Sequence, residues 1–218
     1  MDADEVRQRW ETLSGEYSPD YYAYYGPNET SELLSETLES AVGVEGSVLE
    51  LGCSAGRHLA HLHDEGYRNL SGLDINEDSF DVMAEEYPEL EAEGTFYVDS
   101  IANCLGDFED DAFDAVYSVE TLQHVHPDDE WVFEEIARVA EKLVVTVENE
   151  GGGKERNGDR TDGERAADDG SDNPSVNYVS GEMPLYYRNW HGIFTGLGLT
   201  EVRTVGLDRD TFRAFRPA

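Results

Sequence analysis

Short apolar runs alternate with helix-type segments up to residue 148, and this alternation restricts the fold more than any other feature of the sequence. The runs are bounded by glycine and polar turn residues, as strands are. Predicted strands are residues 47–51, 67–74, 95–98, 112–119 and 143–147; predicted helices are residues 3–13, 29–41, 55–65, 77–87 and 128–141. Strands that alternate with helices indicate a parallel sheet covered on both faces.

The C-terminal part of the chain resumes this pattern after an interruption. Residues 150–175 contain no aromatic residue and no aliphatic residue larger than alanine, so we expect a flexible, solvated surface loop. The remaining predictions are a helix at residues 185–197 and closing strands at residues 200–205 and 211–215. We therefore divide the chain into a helical, aromatic cap and an α/β domain, at residues 1–44 and 45–218.

The turn after the first predicted strand carries the most chemical information. Residues 48–57 read VLELGCSAGR, which is a strand, a glycine-containing turn and the start of a helix. Gly52 allows a ligand to approach the backbone closely, and Gly56 allows the helix to start close to the sheet. Asp74 ends the second strand, 24 positions after Glu50 (74 − 50), where a carboxylate can bind both ribose hydroxyls of a nucleoside.

Two features of this turn argue against a dinucleotide. The turn lacks the GxGxxG pattern that wraps a pyrophosphate. Glu50 lies two residues before the first glycine, where its carboxylate would repel a diphosphate and attract a cation. The turn therefore favours a ligand with a ribose and a positive charge but no phosphate.

Four motifs resemble, in chain order, those of the class I S-adenosylmethionine-dependent methyltransferases that act on small molecules. Residues 50–56 (ELGCSAG) match the first motif, E/D-x-G-x-G-x-G, with Ser54 in place of the middle glycine. The resemblance covers residues 45–148 and, more loosely, the C-terminal strands. The other three motifs match residues 72–76 (GLDIN), 97–101 (YVDSI) and 113–125 (FDAVYSVETLQHV).

This resemblance implies a fold, a cofactor and a set of binding residues. The expected fold is a Rossmann-like, mostly parallel sheet of seven strands with helices on both faces and an antiparallel last strand. The expected cofactor is S-adenosyl-L-methionine, with Asp74 on the ribose, Ile75 against the adenine and Asp99 at the adenine amino group. The other expected cofactor-binding residues are Trp10, Tyr17, Glu50, Gly52, Cys53, Ser54, Gly56, Ser100, Ile101 and Ser118.

The N-terminal segment is rich in tyrosine and also contains Trp10. Electron-rich ring faces attract a sulfonium, and in similar enzymes such a segment caps the cofactor. Trp10 and Tyr17 are therefore expected cofactor contacts. The alternative is that these rings pack the helices onto the sheet, and for most of the rings we favour it.

Catalysis requires mainly that the acceptor is aligned with the methyl group, because a sulfonium is an excellent leaving group. An oxygen or nitrogen acceptor can also need a proton removed. His124 follows the fourth strand and is the first candidate base; Glu120 is the second. His124 could instead bond a loop backbone. Arg188 could hold an anionic acceptor group or form a surface ion pair.

The charge of the chain limits its partners. The 218 residues include 49 acidic and 15 Lys or Arg residues, giving a formal net charge of -34, so nucleic acids and anionic membranes are disfavoured. The sequence shows neither a membrane-type apolar run nor a secretory signal. At molar salt the screening length is about 3 Å. With so few lysines, the sequence favours a cytoplasmic, halophilic protein, which we expect to be haloarchaeal.

Cysteine and histidine residues give no sign of a metal site. Cys53 and Cys104 lack metal-ligand spacing and suit a reducing compartment. His58 and His61 share a helical face, but His63 does not. We therefore expect no bound metal.

The predicted function is the transfer of a methyl group from S-adenosylmethionine to a small-molecule acceptor. A non-catalytic S-adenosylmethionine-binding regulatory module is one alternative, since the first motif departs from the family pattern at Ser54. A NAD-dependent oxidoreductase is a second alternative. The sequence makes no prediction about the oligomeric state.

Overall fold

A computed structural model describes residues 1–15, 18–151, 174–179 and 183–217. The strands are β1 (Val48–Leu51), β2 (Leu70–Asp74), β3 (Thr95–Val98), β4 (Phe113–Val119), β5 (Ala140–Glu148), β6 (Ser175–Val179), β7 (Met183–Tyr187), β8 (Leu199–Gly206) and β9 (Thr211–Pro217). The helices are α1 (Ala3–Glu11), α2 (Pro19–Tyr25), α3 (Glu29–Ala41), α4 (Arg57–Asp64), α5 (Asp78–Glu86), α6 (Pro88–Glu93), α7 (Ile101–Cys104), α8 (Val132–Val139) and α9 (Trp190–Gly196). Short 3₁₀ turns occupy Leu105–Asp107, Leu122–His124 and Pro127–Asp129.

Seven strands form one sheet in the order β3-β2-β1-β4-β5-β9-β8. β1 to β5 are parallel, whereas β9 pairs antiparallel with both β5 and β8. The predicted fold, a Rossmann-like and mostly parallel sheet of seven strands, is confirmed. β6 and β7 form a separate two-stranded sheet.

Alternate residues of β5 face two different hydrophobic clusters, because successive side chains of a strand point to opposite faces. Val145 and Val147 join the cluster that contains Leu34 of α3 and Leu59 of α4. Val144 joins the cluster that contains buried residues of α8 and α9. The helices therefore cover both faces of the sheet and leave the strand ends free for ligands.

The predicted helix at 185–197 is wrong in its first part. Residues 183–187 form β7, which pairs with β6, and α9 begins only at Trp190. Likewise, the helix predicted at 128–141 is shorter in the structure. It is α8, which ends at Val139 because β5 begins at Ala140. In both places a tertiary strand pairing overrides the local pattern.

Proline residues begin two helices that the sequence analysis missed. The helix predicted at 77–87 ends before Pro88, and Pro88 lies in the first turn of α6. Pro19 has the same place in α2, within the tyrosine-rich segment.

The loop predicted at 150–175 ends earlier than expected, because Ser175 belongs to β6. Residues 152–173 of that loop lie outside the described residues. No helix in the described part of the chain is long and apolar enough to span a membrane.

Candidate functional site

A cavity of about 1290 Å³, its open mouth included, lies at the carboxyl ends of the central strands. Loops that follow β1 to β4 form one side of it, and α1 and α2 form the other. Such a position is typical of ligand sites in parallel α/β sheets. It brings together most of the predicted site residues: Trp10, Glu50, Gly52, Cys53, Ser54, Asp74, Ile75, Asp99, Ser100, Ile101, Glu120 and His124.

Two predicted cofactor-binding residues are placed differently, and a third lies outside the described residues. Gly56 precedes α4, and a Cβ on it would come within 2.7 Å of Met83 Cε, so this glycine lets α4 approach α5. The hydroxyl of Ser118 does not line the cavity and donates to Glu148 Oε1 (2.6 Å). Tyr17 lies outside the described residues.

The turn after β1 keeps the backbone conformation that the motif requires. The amide N–H groups of Gly52 and Cys53 both donate to the Leu73 carbonyl, at 2.7 and 3.0 Å. Gly52 has φ +68°, and a Cβ on it would overlap the Thr121 side chain. Ser54 has φ 49°, the left-handed conformation that glycine adopts most easily. Ser54 therefore adopts, in place of the motif glycine, a conformation that suits glycine.

Asp74 is fixed by the backbone of this turn. Its Oδ2 accepts from the Ser54 N–H (2.8 Å), and its Oδ1 accepts from the Asn76 N–H (2.9 Å). Burial raises the pKa of this carboxyl, whereas these hydrogen bonds lower it. The Asp74 carbonyl also accepts from the Asp99 N–H (3.1 Å), which joins the ends of β2 and β3. The carboxylate is thus oriented before a ligand arrives.

Glu50 is a buried acid at the end of β1, with only 1% of its surface exposed. Its Oε2 accepts from the Tyr117 hydroxyl (3.0 Å). Burial raises the pKa of Glu50 to about 8, and the Tyr117 hydrogen bond and the charge of Arg57 oppose this shift. Burial favours the neutral form of Glu50. A cation bound nearby would have the opposite effect and favour the ionised form.

His124 is held by two neighbours and is neutral at pH 7. Its Nδ1 lies 2.8 Å from the Pro184 carbonyl, which can only accept, so the ring proton is on Nδ1. Its Nε2 lies 3.4 Å from Gln123 Nε2. Burial lowers the pKa of His124 to about 4. The ring centroid is 4.7 Å from that of Trp10. Nε2 is therefore an unprotonated acceptor but a weak base.

Glu120 lies at the margin of the cavity. Its φ is 51°, and its side chain is 28% exposed, with Arg209 3.8 Å away. Glu120 therefore stays the second candidate base, beside a positive charge and partly open to solvent.

Two buried charged residues, which the motifs did not identify, hold the loop that carries His124. Glu148 lies at the end of β5 and accepts from the backbone N–H groups of Leu122 (3.0 Å) and Gln123 (3.2 Å). Arg188 donates to the carbonyls of Leu122 (3.3 Å) and Val125 (2.7 Å) and pairs with Glu130. One residue binds the N–H groups of this loop and the other binds its carbonyls.

Arg188 differs from both sequence-based interpretations. It is 5% exposed, so its pair with Glu130 is not a surface ion pair. It does not line the cavity, and its guanidinium lies over the rings of Phe133, Tyr186 and Trp190. Its aromatic neighbours in the sequence were the only signal of this role.

The histidines of α4 have separate partners. His58 Nδ1 lies 2.8 Å from Ser31 Oγ, and His63 Nε2 lies 2.9 Å from Glu93. Among the described residues, no group of three His, Cys, Asp or Glu side chains could hold a metal ion. Burial raises the pKa of Cys53 well above its usual value, so this thiol in the cavity wall is not ionised.

The comparisons with known proteins agree with this fold. A family model described as a methyltransferase domain matches residues 48–142. No curated protein matches the chain significantly. Among solved structures, the PH0226 protein of Pyrococcus horikoshii OT3 has a TM-score of 0.64 at 18% identity over 100% of both chains.

Two further structures with the same fold contain ligands. The 1,6-didemethyltoxoflavin-N1-methyltransferase of Burkholderia thailandensis, with bound 1,6-didemethyltoxoflavin and S-adenosylhomocysteine, has a TM-score of 0.66 at 14% identity, over 99% of this chain and 87% of that one. The magnesium protoporphyrin IX methyltransferase of Synechocystis PCC 6803, with bound S-adenosylhomocysteine, has a TM-score of 0.64 at 14% identity over 100% of both chains.

Proposed function

We propose that the chain transfers a methyl group from S-adenosylmethionine to a small-molecule acceptor. Its seven-stranded fold and the match of a methyltransferase-domain model to residues 48–142 support this proposal. The observation that carries this proposal is that Glu50, Asp74 and Asp99, at the ends of β1, β2 and β3, line one cavity. Three acids at successive strand ends suit a cationic nucleoside and repel a pyrophosphate.

The backbone and the polar groups of the cavity support the proposed donor. Gly52 lines the cavity, and a Cβ on it would overlap the side chain of Thr121, which lines the same cavity. Asp74, whose carboxylate is held by backbone N–H groups, is proposed to bind the ribose hydroxyls, and Ile75, Asp99 and Ile101 form the wall proposed for the adenine. Glu50 faces the cavity from beneath the turn, where it stabilises positive charge.

The donor supplies the methyl group on a sulfonium, and the protein aligns the acceptor with it. The acceptor is proposed to displace the Gln123 amide, 3.4 Å away, as the hydrogen-bond donor to His124 Nε2, which then orients it. With a pKa of about 4, this ring removes a proton only as the acceptor loses it during transfer. The site therefore suits an acceptor that is already nucleophilic near neutral pH.

The acceptor part of the cavity is proposed to lie between α1 and the segment after β4. Apolar side chains line both walls: Val6 and Trp10 on one, Val125 and Val132 on the other. Arg7 and Asp129 form an ion pair across the two walls. The two ligand-bound neighbours are methyltransferases named for small or planar ring compounds, which supports an acceptor of this class.

The charge of the chain supports the remaining proposals about its setting. We infer that it works in the cytoplasm of a salt-adapted cell, and that it binds neither nucleic acid nor membranes, because its formal charge is -34. Unfolding measured in dilute buffer and in molar KCl tests the first inference. A free energy of unfolding that does not rise with salt would contradict it.

Calorimetry in high salt tests the proposed donor. We expect S-adenosylmethionine to bind and NAD not to bind. Asp74→Ala should weaken binding by roughly tenfold or more, because the ribose loses its charged acceptor. Asp81→Ala, at an exposed carboxylate on α5, is the matched control and should bind as the wild type does. Equal affinities of the two variants would refute the ribose assignment, and binding of NAD alone would favour an oxidoreductase.

A metabolite screen with labelled methyl donor at multimolar KCl tests the reaction. Labelled product identifies the acceptor. Donor binding without transfer to any compound of the screen would favour the regulatory module.

A further inference from the structure

Gln123 precedes His124 in the loop after β4, and its amide has a fixed orientation. The side chain is buried and does not line the cavity, whereas His124 does. Gln123 Oε1 accepts from the backbone N–H of Asn149, which follows β5 (2.8 Å). Because a backbone N–H can only donate, the amide oxygen faces Asn149, and the amide nitrogen faces His124 Nε2, 3.4 Å away.

Gln123 and His124 belong to a row of three hydrogen bonds that all point the same way. The Asn149 N–H donates to Gln123, the Gln123 amide donates to His124 Nε2, and His124 Nδ1 donates to the Pro184 carbonyl (2.8 Å). Both ends of the row are backbone groups, which neither gain nor lose a proton. A proton on Nε2 would face the N–H groups of the Gln123 amide, so the row keeps Nε2 a hydrogen-bond acceptor.

The bond between the two side chains is the weakest of the row and the one that a ligand can replace. It is 3.4 Å long, against 2.8 Å for the other two, and the ring of His124 lines the cavity. Gln123 itself is also held by Glu148, which accepts from its backbone N–H (3.2 Å). Around the ring, Trp10 of α1 carries no charge, and the charge of Arg188 lowers the pKa of His124.

We propose that Gln123 is a positioning residue that keeps His124 Nε2 a hydrogen-bond acceptor, so that the site selects methyl acceptors that present an N–H or O–H group to it. This inference rests on the proposed function and narrows its acceptor class. A group that brings its own proton replaces the Gln123 amide without the loss of a hydrogen bond. A carboxylate, a thiolate or a tertiary amine would oppose the lone pair of Nε2 and leave it without a donor.

The first test reverses the direction of the row by changing one atom. In Gln123→Glu, the oxygen that replaces the amide nitrogen can accept from a protonated Nε2. We expect the pKa of His124 to rise from about 4 to roughly 6 or above, because a neighbouring carboxylate favours the charged ring. NMR titration of isotope-labelled imidazole nitrogens in the free protein, at constant high salt, measures it. The signal of His124 is assigned by its absence in His124→Gln.

Two further variants complete the titration. Gln123→Met removes the amide donor without supplying an acceptor, so the pKa of His124 should rise, but by less than in Gln123→Glu. This variant also decides the question if a buried glutamate prevents folding. Gln8→Glu makes the same chemical change on the exposed side of α1 and is the matched control, in which the pKa of His124 should stay at about 4.

The second test compares two planar probes, indole and benzofuran, which are alike in shape. Indole presents an N–H group, whereas benzofuran has an oxygen atom at that position. With S-adenosylhomocysteine bound to the wild type, we expect indole to shift the Nε2 resonance of His124 and benzofuran to leave it unchanged. In Gln123→Glu, below the new pKa of His124, indole should no longer shift it, because Nε2 already carries a proton.

The outcomes separate this inference from the proposed function. A pKa of His124 that stays at about 4 in the folded Gln123 variants would show that Gln123 does not set the protonation of the ring. A wild type in which both probes, or neither, shift the Nε2 resonance would refute the selection of N–H and O–H groups. Failure of the wild type to bind S-adenosylhomocysteine in calorimetry would instead refute the proposed function. The titration of the free protein would still report the role of Gln123.

Discussion

Glu148 offers the sharpest test of how the loop that carries His124 is held. Its Oε1 accepts from the Ser118 hydroxyl and from the Leu122 N–H, and its Oε2 accepts from the Gln123 N–H. Glu148→Gln keeps the size of the side chain and removes its charge. The amide nitrogen that replaces one oxygen opposes a backbone N–H, so we expect a looser loop and slower methyl transfer.

The magnitude follows from the pKa of Glu148. Burial raises it from 4.5 to about 7, although its hydrogen bonds oppose the shift. An acid with a raised pKa in the folded state binds more protons there than in the unfolded state, so its contribution to stability is present at low pH and is lost as the pH rises. Between about pH 5 and about pH 8, the free energy of unfolding of the wild type should fall by about 2 to 3 kcal/mol relative to Glu148→Gln.

Chemical denaturation at constant high salt measures this difference. Other groups with raised pKa values, such as Glu50, contribute equally to both proteins and cancel in the difference. Glu141→Gln, at an exposed glutamate on the same strand, is the matched control. This account of the loop is refuted if the difference in the free energy of unfolding between the wild type and Glu148→Gln does not change with pH. It is also refuted if the wild type becomes more stable relative to the variant as the pH rises.

Three further predictions concern the turn after β1. Gly52→Ala should abolish donor binding in calorimetry and lower the midpoint of thermal unfolding, because the new Cβ overlaps Thr121 and a positive φ adds roughly 1–2 kcal/mol of strain; wild-type affinity would contradict this. Ser54→Gly should leave donor affinity within about twofold and stability within about 1 kcal/mol, since it adopts the same φ of 49° with less strain. Donor binding near pH 7 should release close to one proton, because Glu50, with a pKa of about 8, ionises beside the cation. Calorimetry in two buffers of different ionisation enthalpy measures the number of protons released, and Glu50→Gln should abolish the release. Zero release by the wild type would count against Glu50 as the group that binds the cation.

The sequence predicts the parallel part of the fold well, because local signals and tertiary structure agree there. β1 is a run of four buried residues next to a glycine turn, and the predicted α3 has the bounds that the structure shows. The sequence fails where a pairing between distant segments decides the outcome. Part of β7 has the sequence pattern of a helix, but it forms a strand because it pairs with β6. No local pattern reports such a pairing.

The same distinction applies to the site. Glu50, Asp74 and Asp99 could be predicted because each follows a strand within a motif, and parallel strands end at one edge of the sheet. Glu148 and Arg188 could not, because the loop backbone groups that they bind lie 25 or more positions away. A buried charge that binds backbone atoms requires no particular residue type in the loop, so it leaves no paired signal in the sequence.

High salt gives a physical reason why a buried acid, and not the exposed ones, should bind the cationic donor. If the chain works at molar salt, the screening length is about 3 Å, and its charge of -34 cannot attract a cationic donor from a distance. Recognition then depends on groups that are in direct contact and removed from solvent, where screening is weak. Glu50 is such a group, and most of the described arginines are already paired with acids of the protein itself. As long as the protein stays folded, donor affinity should therefore vary little between about 1 and 3 M KCl. A steep loss of affinity with salt would mean that exposed acids, and not the buried Glu50, bind the cation.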